Sequence, residues 1–211
     1  MVWMHELTSA IVVGVMAFAA TNIDDIVILM LFFGGMHPAL QPRQIVLGQY
    51  LGFAALILAS LPGFLGGLLI PKAWLGLLGL VPIAIGLRAL WRSGPDEIQT
   101  VSEPVSPASG LLGAVANLLH ANVYRVAAVT IANGGDNLGV YIPLFASLTL
   151  VELGVILATF CVMIGIWCFL ADRLARQPPI ARILQRYGQA VMPFVLIGIG
   201  VMILLESLHP D

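Results

Sequence analysis

Asn22-Ile23-Asp24-Asp25-Ile26 and Gly134-Gly135-Asp136-Asn137-Leu138 each set acid and amide side chains in the middle of a long apolar run. The rest of the chain makes these stretches unusual. Of 211 residues, 60% are hydrophobic and 9% charged, with a mean hydropathy of +1.01. Soluble domains hold about 45–50% apolar and about 25% charged residues, so this composition excludes a water-exposed shell and with it a soluble domain of any size. A net charge of −2 without any basic run also excludes a nucleic-acid partner. The two cysteines, Cys161 and Cys168, share one apolar segment and build no disulfide framework.

Working outward, crossing about 30 Å of hydrocarbon takes about 20 apolar residues. Six segments meet that need, at about 7–33, 44–69, 73–91, 111–148, 151–171 and 189–207. The first is read as a span rather than a signal peptide. His5 and Glu6 stand where a basic region should be, and the apolar run resumes at Ile26. The fourth segment is too long for one straight crossing. The longest polar break, Ser93 to Ser109, carries Pro95, Asp96, Glu97, Glu103, Pro104 and Pro107 and reads as a linker. Arg43, Arg88, Arg92, Arg173, Arg176, Arg182 and Arg186 follow spans one, three and five, Arg125 lies at the same end of span four, and Lys72 alone falls opposite. The positive-inside bias therefore predicts these connections in the cytoplasm and both termini outside.

The two opening stretches also align with each other. Asp24 matches Asp136 and Asp25 matches Asn137; at nearly the same offset Phe33 matches Phe145, Pro82 matches Pro193 and Gly86 matches Gly198. Three spans per half is an odd number, so the second half must enter from the opposite side. The expectation is an all-α integral membrane protein of six transmembrane helices, arranged as two inverted three-helix repeats with helices one and four broken. Residues 1–92 form the first repeat, 93–109 a cytoplasmic linker and 110–211 the second repeat.

A carboxylate at the bilayer centre costs about 2.5–3.5 kcal/mol. Three of them, Asp24, Asp25 and Asp136, need a bound cation, a proton or a hydrogen-bonded partner. Arg125 is too far from Asp136 to pair, at about 16 Å along a helix. A cation site is the economical answer. Asp24 and Asp136 are the expected metal ligands, Asp25 a second ligand or proton carrier, and Asn22, Asn133 and Asn137 the neutral ligands; carboxylate, amide and unwound carbonyl oxygens suit hard divalent ions. A competing reading makes these residues caps of half-helices. Half-helix N-termini also favour anions, which works against cation binding. Cys161 and Cys168 would suit a soft metal but lie about 10.5 Å apart along a helix, so packing explains them. His5, His37, His120 and His209 sit at span ends without metal-ligand spacing. Pro62, Pro82, Pro143 and Pro193 are kink or hinge candidates. Trp3, Trp74 and Trp91 read as interface anchors.

No nucleophile motif, zinc-protease helix or P-loop occurs, so neither an enzyme nor an ATP-driven pump is expected. An ion gradient is the remaining energy source.

Ala20-Thr21-Asn22-Ile23-Asp24-Asp25 and the long run Ala132-Asn133-Gly134-Gly135-Asp136-Asn137-Leu138-Gly139-Val140-Tyr141-Ile142-Pro143-Leu144-Phe145 resemble the two signatures of the cadmium resistance transporter family, a branch of the lysine exporter superfamily. Gly48-Gln49-Tyr50-Leu51-Gly52-Phe53 and the Trp74 to Gly86 helix extend the resemblance over nearly the whole chain. It implies a six-span, multi-pass exporter in a bacterial plasma (inner) membrane. Such a carrier removes cadmium, zinc or another divalent ion from the cytoplasm, with protons as the coupling ion in antiport. The metal is then cargo, and no resident cofactor is expected; lipid is the surrounding partner and a homo-oligomer is compatible with the composition. The alternatives are an exporter of a small organic solute such as an amino acid, and a non-transporting membrane assembly subunit.

Overall fold

A computed structural model describes residues 2–34, 40–69, 72–91 and 121–208. Among them the chain is helical, with no strand. Helices α1 (Val2–Thr21) and α2 (Asp25–Phe33) meet at a bend of 67°. Then come α3 (Pro42–Leu69), α4 (Lys72–Leu78) and α5 (Leu80–Trp91), α6 (Ala121–Asn133) and α7 (Gly135–Ser147), α8 (Leu150–Ala175) and α9 (Pro178–Leu208). Among the described residues, three stretches are long and apolar enough to cross a membrane, Pro42–Leu69, Trp74–Trp91 and Leu150–Ala175. The bent pair Leu7–Thr21 and Asp25–Phe33 qualifies jointly, and Pro193–Leu205 is a shorter apolar helix. The predicted linker at 93–109, the start of the fourth segment at 111–120, Arg92, His37, His120 and His209 lie outside the described residues, as do the side chains of Trp3, His5, Lys72, Arg182 and Arg186.

Side-chain bonds to backbone carbonyls cluster where α1 ends. The Thr21 hydroxyl donates to the Ala17 carbonyl at 3.0 Å, and Asn22 Nδ2 donates to the Phe18 carbonyl at 2.8 Å. Local bonds of this kind offer the backbone an alternative to the helical ladder. The break between α6 and α7 falls at Gly134. Gly134 lies under Leu56 so closely that a Cβ there would collide with the leucine side chain. At the other end of α7, Thr149 and Glu152 form a reciprocal capping box that starts α8, with the Thr149 amide 2.8 Å from Glu152 Oε2.

Packing follows a swapped plan. Helices α1 and α2 lie mainly against α8, α3 lies along both α6 and α7, and α4 and α5 lie against α9. In lipid no hydrophobic force drives helices together, so close van der Waals approach through small residues has to do it. Helix α3 meets that condition at two glycine pairs spaced four apart. Gly48 and Gly52 face Val126 and Thr130 on α6, while Gly63 and Gly67 face the carbonyls of Ile142 and Ala146 on α7. One continuous helix thus splints both halves of a broken one.

Substituting Gly52→Val would place a Cβ 2.6 Å from Thr130 Cβ and 2.9 Å from the Ala127 carbonyl. We expect a loss of about 1–3 kcal/mol, the usual cost of overpacking. Gly154→Ala, with nothing within 4 Å of the new Cβ, should stay within about 0.5 kcal/mol of the parent. Unfolding midpoints in detergent compare the two; equal midpoints would reject the close α3–α6 contact.

Candidate functional site

The two helix breaks come together in the interior. Asp25 opens α2 and is 4% exposed, with the preceding Asp24 half-buried. Asn133, the last residue of α6, reaches across and donates through Nδ2 to Asp25 Oδ1 at 2.6 Å and to Asp24 Oδ2 at 3.0 Å. Gln49 on α3 donates through Nε2 to Asp25 Oδ2 at 3.3 Å. Its own Oε1 accepts from the Thr130 hydroxyl at 2.7 Å, which fixes the amide's direction. Neither break is capped by a side chain: Asp24 makes no capping bond to α2, and Gly134 stands at the cap position of α7. The carboxylates are thus held by amides from other helices rather than spent on their own backbone.

Beside them runs a chain of amides whose orientation is fully determined. A carbonyl only accepts, so Asn22 must turn Nδ2 toward the Phe18 carbonyl. The same Nδ2 lies 2.9 Å from the Tyr141 hydroxyl, which in turn lies 2.7 Å from Thr21 Oγ1. Asn22 Oδ1 therefore faces α7 and accepts from Asn137 Nδ2 at 3.1 Å. That bond forces Asn137 Oδ1 to point away, and this buried acceptor has no hydrogen-bond partner among the described residues. Reversing the Asn137 amide would set two oxygens face to face, so the orphan is not an arbitrary choice of rotamer. The Asn22 carbonyl, released by the break, is taken by Trp167 Nε1 on α8 at 2.7 Å.

Magnitudes indicate what this arrangement can hold. Two hydrogen bonds to a charged group, worth about 1.5–3 kcal/mol each, suffice for Asp25 against a burial cost of about 2.5–3.5 kcal/mol. Its place in the first turn of α2 adds roughly 0.3–1 kcal/mol from the helix dipole. Asp24 draws on the same Asn133 amide, and the charges of both Asp24 and Asp136 act on Asp25. Asn133 Nδ2 thus stands between two carboxylates, where a cation would be equally at home.

Each expected site residue has a definite place. Asn22, Asp24, Asp25, Asn133 and Asn137 are joined through two short hydrogen-bond chains. Asp136 is exposed at the first turn of α7, next to Gly135, which faces open space. Among the described residues no three of His, Cys, Asp and Glu close on a single point, so an ion here would need amide oxygens besides carboxylates. Cys161 is exposed and Cys168 buried, two different environments on one helix. Gln49, Thr130, Tyr141 and Trp167 are not among the site residues expected from sequence. Gln49 carries a usable signal, since an amide well inside an apolar span needs a partner. Trp167 carries none that separates it from a packing residue.

Trp167→Phe keeps a ring against Phe18, 5.3 Å between centroids in the native pair, and deletes the donor to the Asn22 carbonyl. Leaving that acceptor buried should lower stability by about 1–3 kcal/mol, seen as an earlier unfolding transition in detergent. An unchanged transition would mean that water replaces the indole.

No curated protein and no solved structure matches the chain. A family model described as cadmium resistance transporter matches residues 18–209, which takes in both helix breaks and every residue of the polar seam. With that match over most of its length, and with apolar helices of membrane-spanning size, the chain is a membrane transporter, not an enzyme, and belongs to the cadmium resistance transporter family.

Proposed function

We propose that this protein exports a divalent metal cation, cadmium among its cargoes and zinc a candidate, through a site built where the two helix breaks meet. The observation that carries the reading is Asn137 Oδ1, a buried acceptor aimed away from the Asn22 oxygen that its own amide bonds. An unmatched buried acceptor costs about 1–3 kcal/mol, and a cation is the ligand that a seam already rich in carboxylates would draw to it. Asp24, Asp25 and Asp136 supply charge, with Asn22, Asn133 and Asn137 as neutral oxygen donors. Binding requires the Asn133 amide to leave its place between Asp24 and Asp25 and present its oxygen instead. A small organic solute fits less well, because a substrate carboxylate would meet three acids and no base. A non-transporting assembly subunit would have no use for the unmatched acceptor.

The wider plan in this reading is six spans in two inverted repeats, with α1–α2, α3 and α4–α5 answering to α6–α7, α8 and α9. Helix pairing supports it. The packing of α1 and α2 on α8 becomes, on exchange of the repeats, the packing of α6 and α7 on α3, which occurs. Alternating access about a central site is the motion such repeats allow. Protons entering from outside would compete with the metal for the carboxylates and release it, giving antiport across a bacterial plasma membrane with the arginine-bearing ends in the cytoplasm.

Metal uptake into inverted vesicles under an imposed pH gradient tests the reading, with cadmium, zinc, manganese and calcium compared. One ion should move in a gradient-dependent way, and Asp24→Asn, Asp136→Asn and Asn137→Leu should each reduce its uptake at least tenfold. The transported ion should also raise the unfolding free energy, by about 2.7 kcal/mol at a hundred times its Kd. Undiminished uptake in all three variants would reject the site, and gradient-independent uptake would reject proton coupling.

A further inference from the structure

A basic residue approaches the second helix break from outside the seam. Gly134 packs on Leu56, at the midpoint of α3, so this break lies near the middle of a membrane-spanning length. A little over one turn beyond it, Gly139 receives α5: a Cβ there would stand 2.7 Å from Ile85 Cδ1 and 3.9 Å from Val81 Cγ1. Gly135 and Asp136 share that side of α7, and Arg88, in the last turn of α5, continues the stripe of Val81 and Ile85. Helices α3 and α7 run in the same direction, from the Gly63–Ile142 contact to that of Gly67 with Ala146. The chain turns back between Leu69 and Lys72, so α5 runs against α7. Three residues cover about 4.5 Å on either helix. Arg88 and Asp136 therefore come to the same level.

At that level the helices leave a cleft. Gly135 and Asp136 on α7, Ile131 and Ala132 at the end of α6, and Arg88 and Trp91 on α5 are all exposed. Nothing lies within 4 Å of a Cβ placed on Gly135, so the space beside it has room for a long side chain. Arg88 makes no hydrogen bond or ion pair among the described residues. An arginine at membrane depth is costly, and the partner that would offset its charge has to be named. Asp136 is the acid on the facing wall of the cleft. A cation that merely anchors a helix end would sit at the membrane surface, not beside a break at mid-depth. The seam itself holds no basic group, and Arg88 reaches it only across this cleft.

We propose that Arg88 is the counter-cation of Asp136 in the transport cycle: closing the cleft carries its guanidinium onto the carboxylate and displaces the cargo ion from that ligand. This rests on the export reading above, in which Asp136 supplies charge to the metal site. With the cleft open, as in this conformation, the Asp136 oxygens are left to a divalent ion. A guanidinium suits the exchange, because it keeps its charge throughout and offers a fork of donors that matches a carboxylate. Being tethered, it competes with the cargo at a fixed local concentration that the ion cannot dilute. Such a residue weakens ion binding and hastens ion release. Those two effects have opposite consequences for transport, which a loss of packing would not imitate.

Two measurements test this, the first without cargo. In a background with Cys161→Ala and Cys168→Ala, and with chelator present, Arg88→Cys is reacted with a cationic and with an anionic thiosulfonate reagent. The cationic reagent should react faster by about tenfold, and adding Asp136→Asn should cut that ratio about threefold. A ratio that Asp136→Asn leaves unchanged overturns the proposal, and so does a thiol that neither reagent reaches. The second measurement follows cadmium. Arg88→Gln should lower the cadmium Kd in detergent about fivefold and slow gradient-driven uptake into inverted vesicles by a similar factor. Arg88→Lys, which keeps the charge, should lie nearer the parent on both counts. Folded Arg88→Gln protein with an unaltered or weakened Kd overturns the proposal. Cadmium export by the parent protein is measured alongside. Its absence would reject the export reading, whereas the reagent ratio judges the Arg88–Asp136 pair on its own.

Discussion

Two helices stop inside an apolar bundle, and the polar groups released by those stops must find partners in the protein because lipid offers none. The rest of the structure depends on how that requirement is met. At the first break the Asn22 carbonyl is answered by an indole from α8, and its side chain by a carbonyl one turn back and a tyrosine hydroxyl across the bundle. At the second break Asn133 turns outward from α6 to serve both acids of the first. Each break thus supplies what the other lacks. Neither would be stable alone at that depth.

This mutual supply dictates the packing around it. For Asn133 and Gln49 to reach the same carboxylate, α3 and α6 must lie close along their length, and the glycines of α3 permit it. For Trp167 to reach Asn22, α8 must run along the bend of α1 and α2. A layer of aromatic rings then fills the space that the bend leaves between the helices, with tilted and edge-on ring pairs. Polar satisfaction sets the positions, and van der Waals contact holds them.

The same economy leaves an imbalance. Asp25 is buried beside two further acids whose charges act on it, and one amide oxygen is left without a donor among the described residues. A purely structural break would be satisfied with fewer acids. On the reading proposed above, these acids and the unmatched oxygen would receive a positive guest, in keeping with a family of cadmium resistance transporters.

Much of this is readable in the sequence. The apolar content fixes a membrane setting, since such a chain cannot present a polar shell to water. Acids, asparagines and glycines inside apolar runs mark where helices fail, because those side chains compete with the helical backbone or leave it free to turn. What the sequence could not determine is which acid faces which partner. Alignment of the two stretches pairs Asp24 with Asp136, yet burial falls chiefly on Asp25, and one amide reaches both neighbouring acids across the break. On an unbroken helix those two side chains would diverge by about 100°. A bend of 67° removes that rule. Gln49, Tyr141 and Trp167 join the site for the same reason: their roles come from contacts between helices distant in sequence, and only the packed bundle decides which of their polar atoms has a partner.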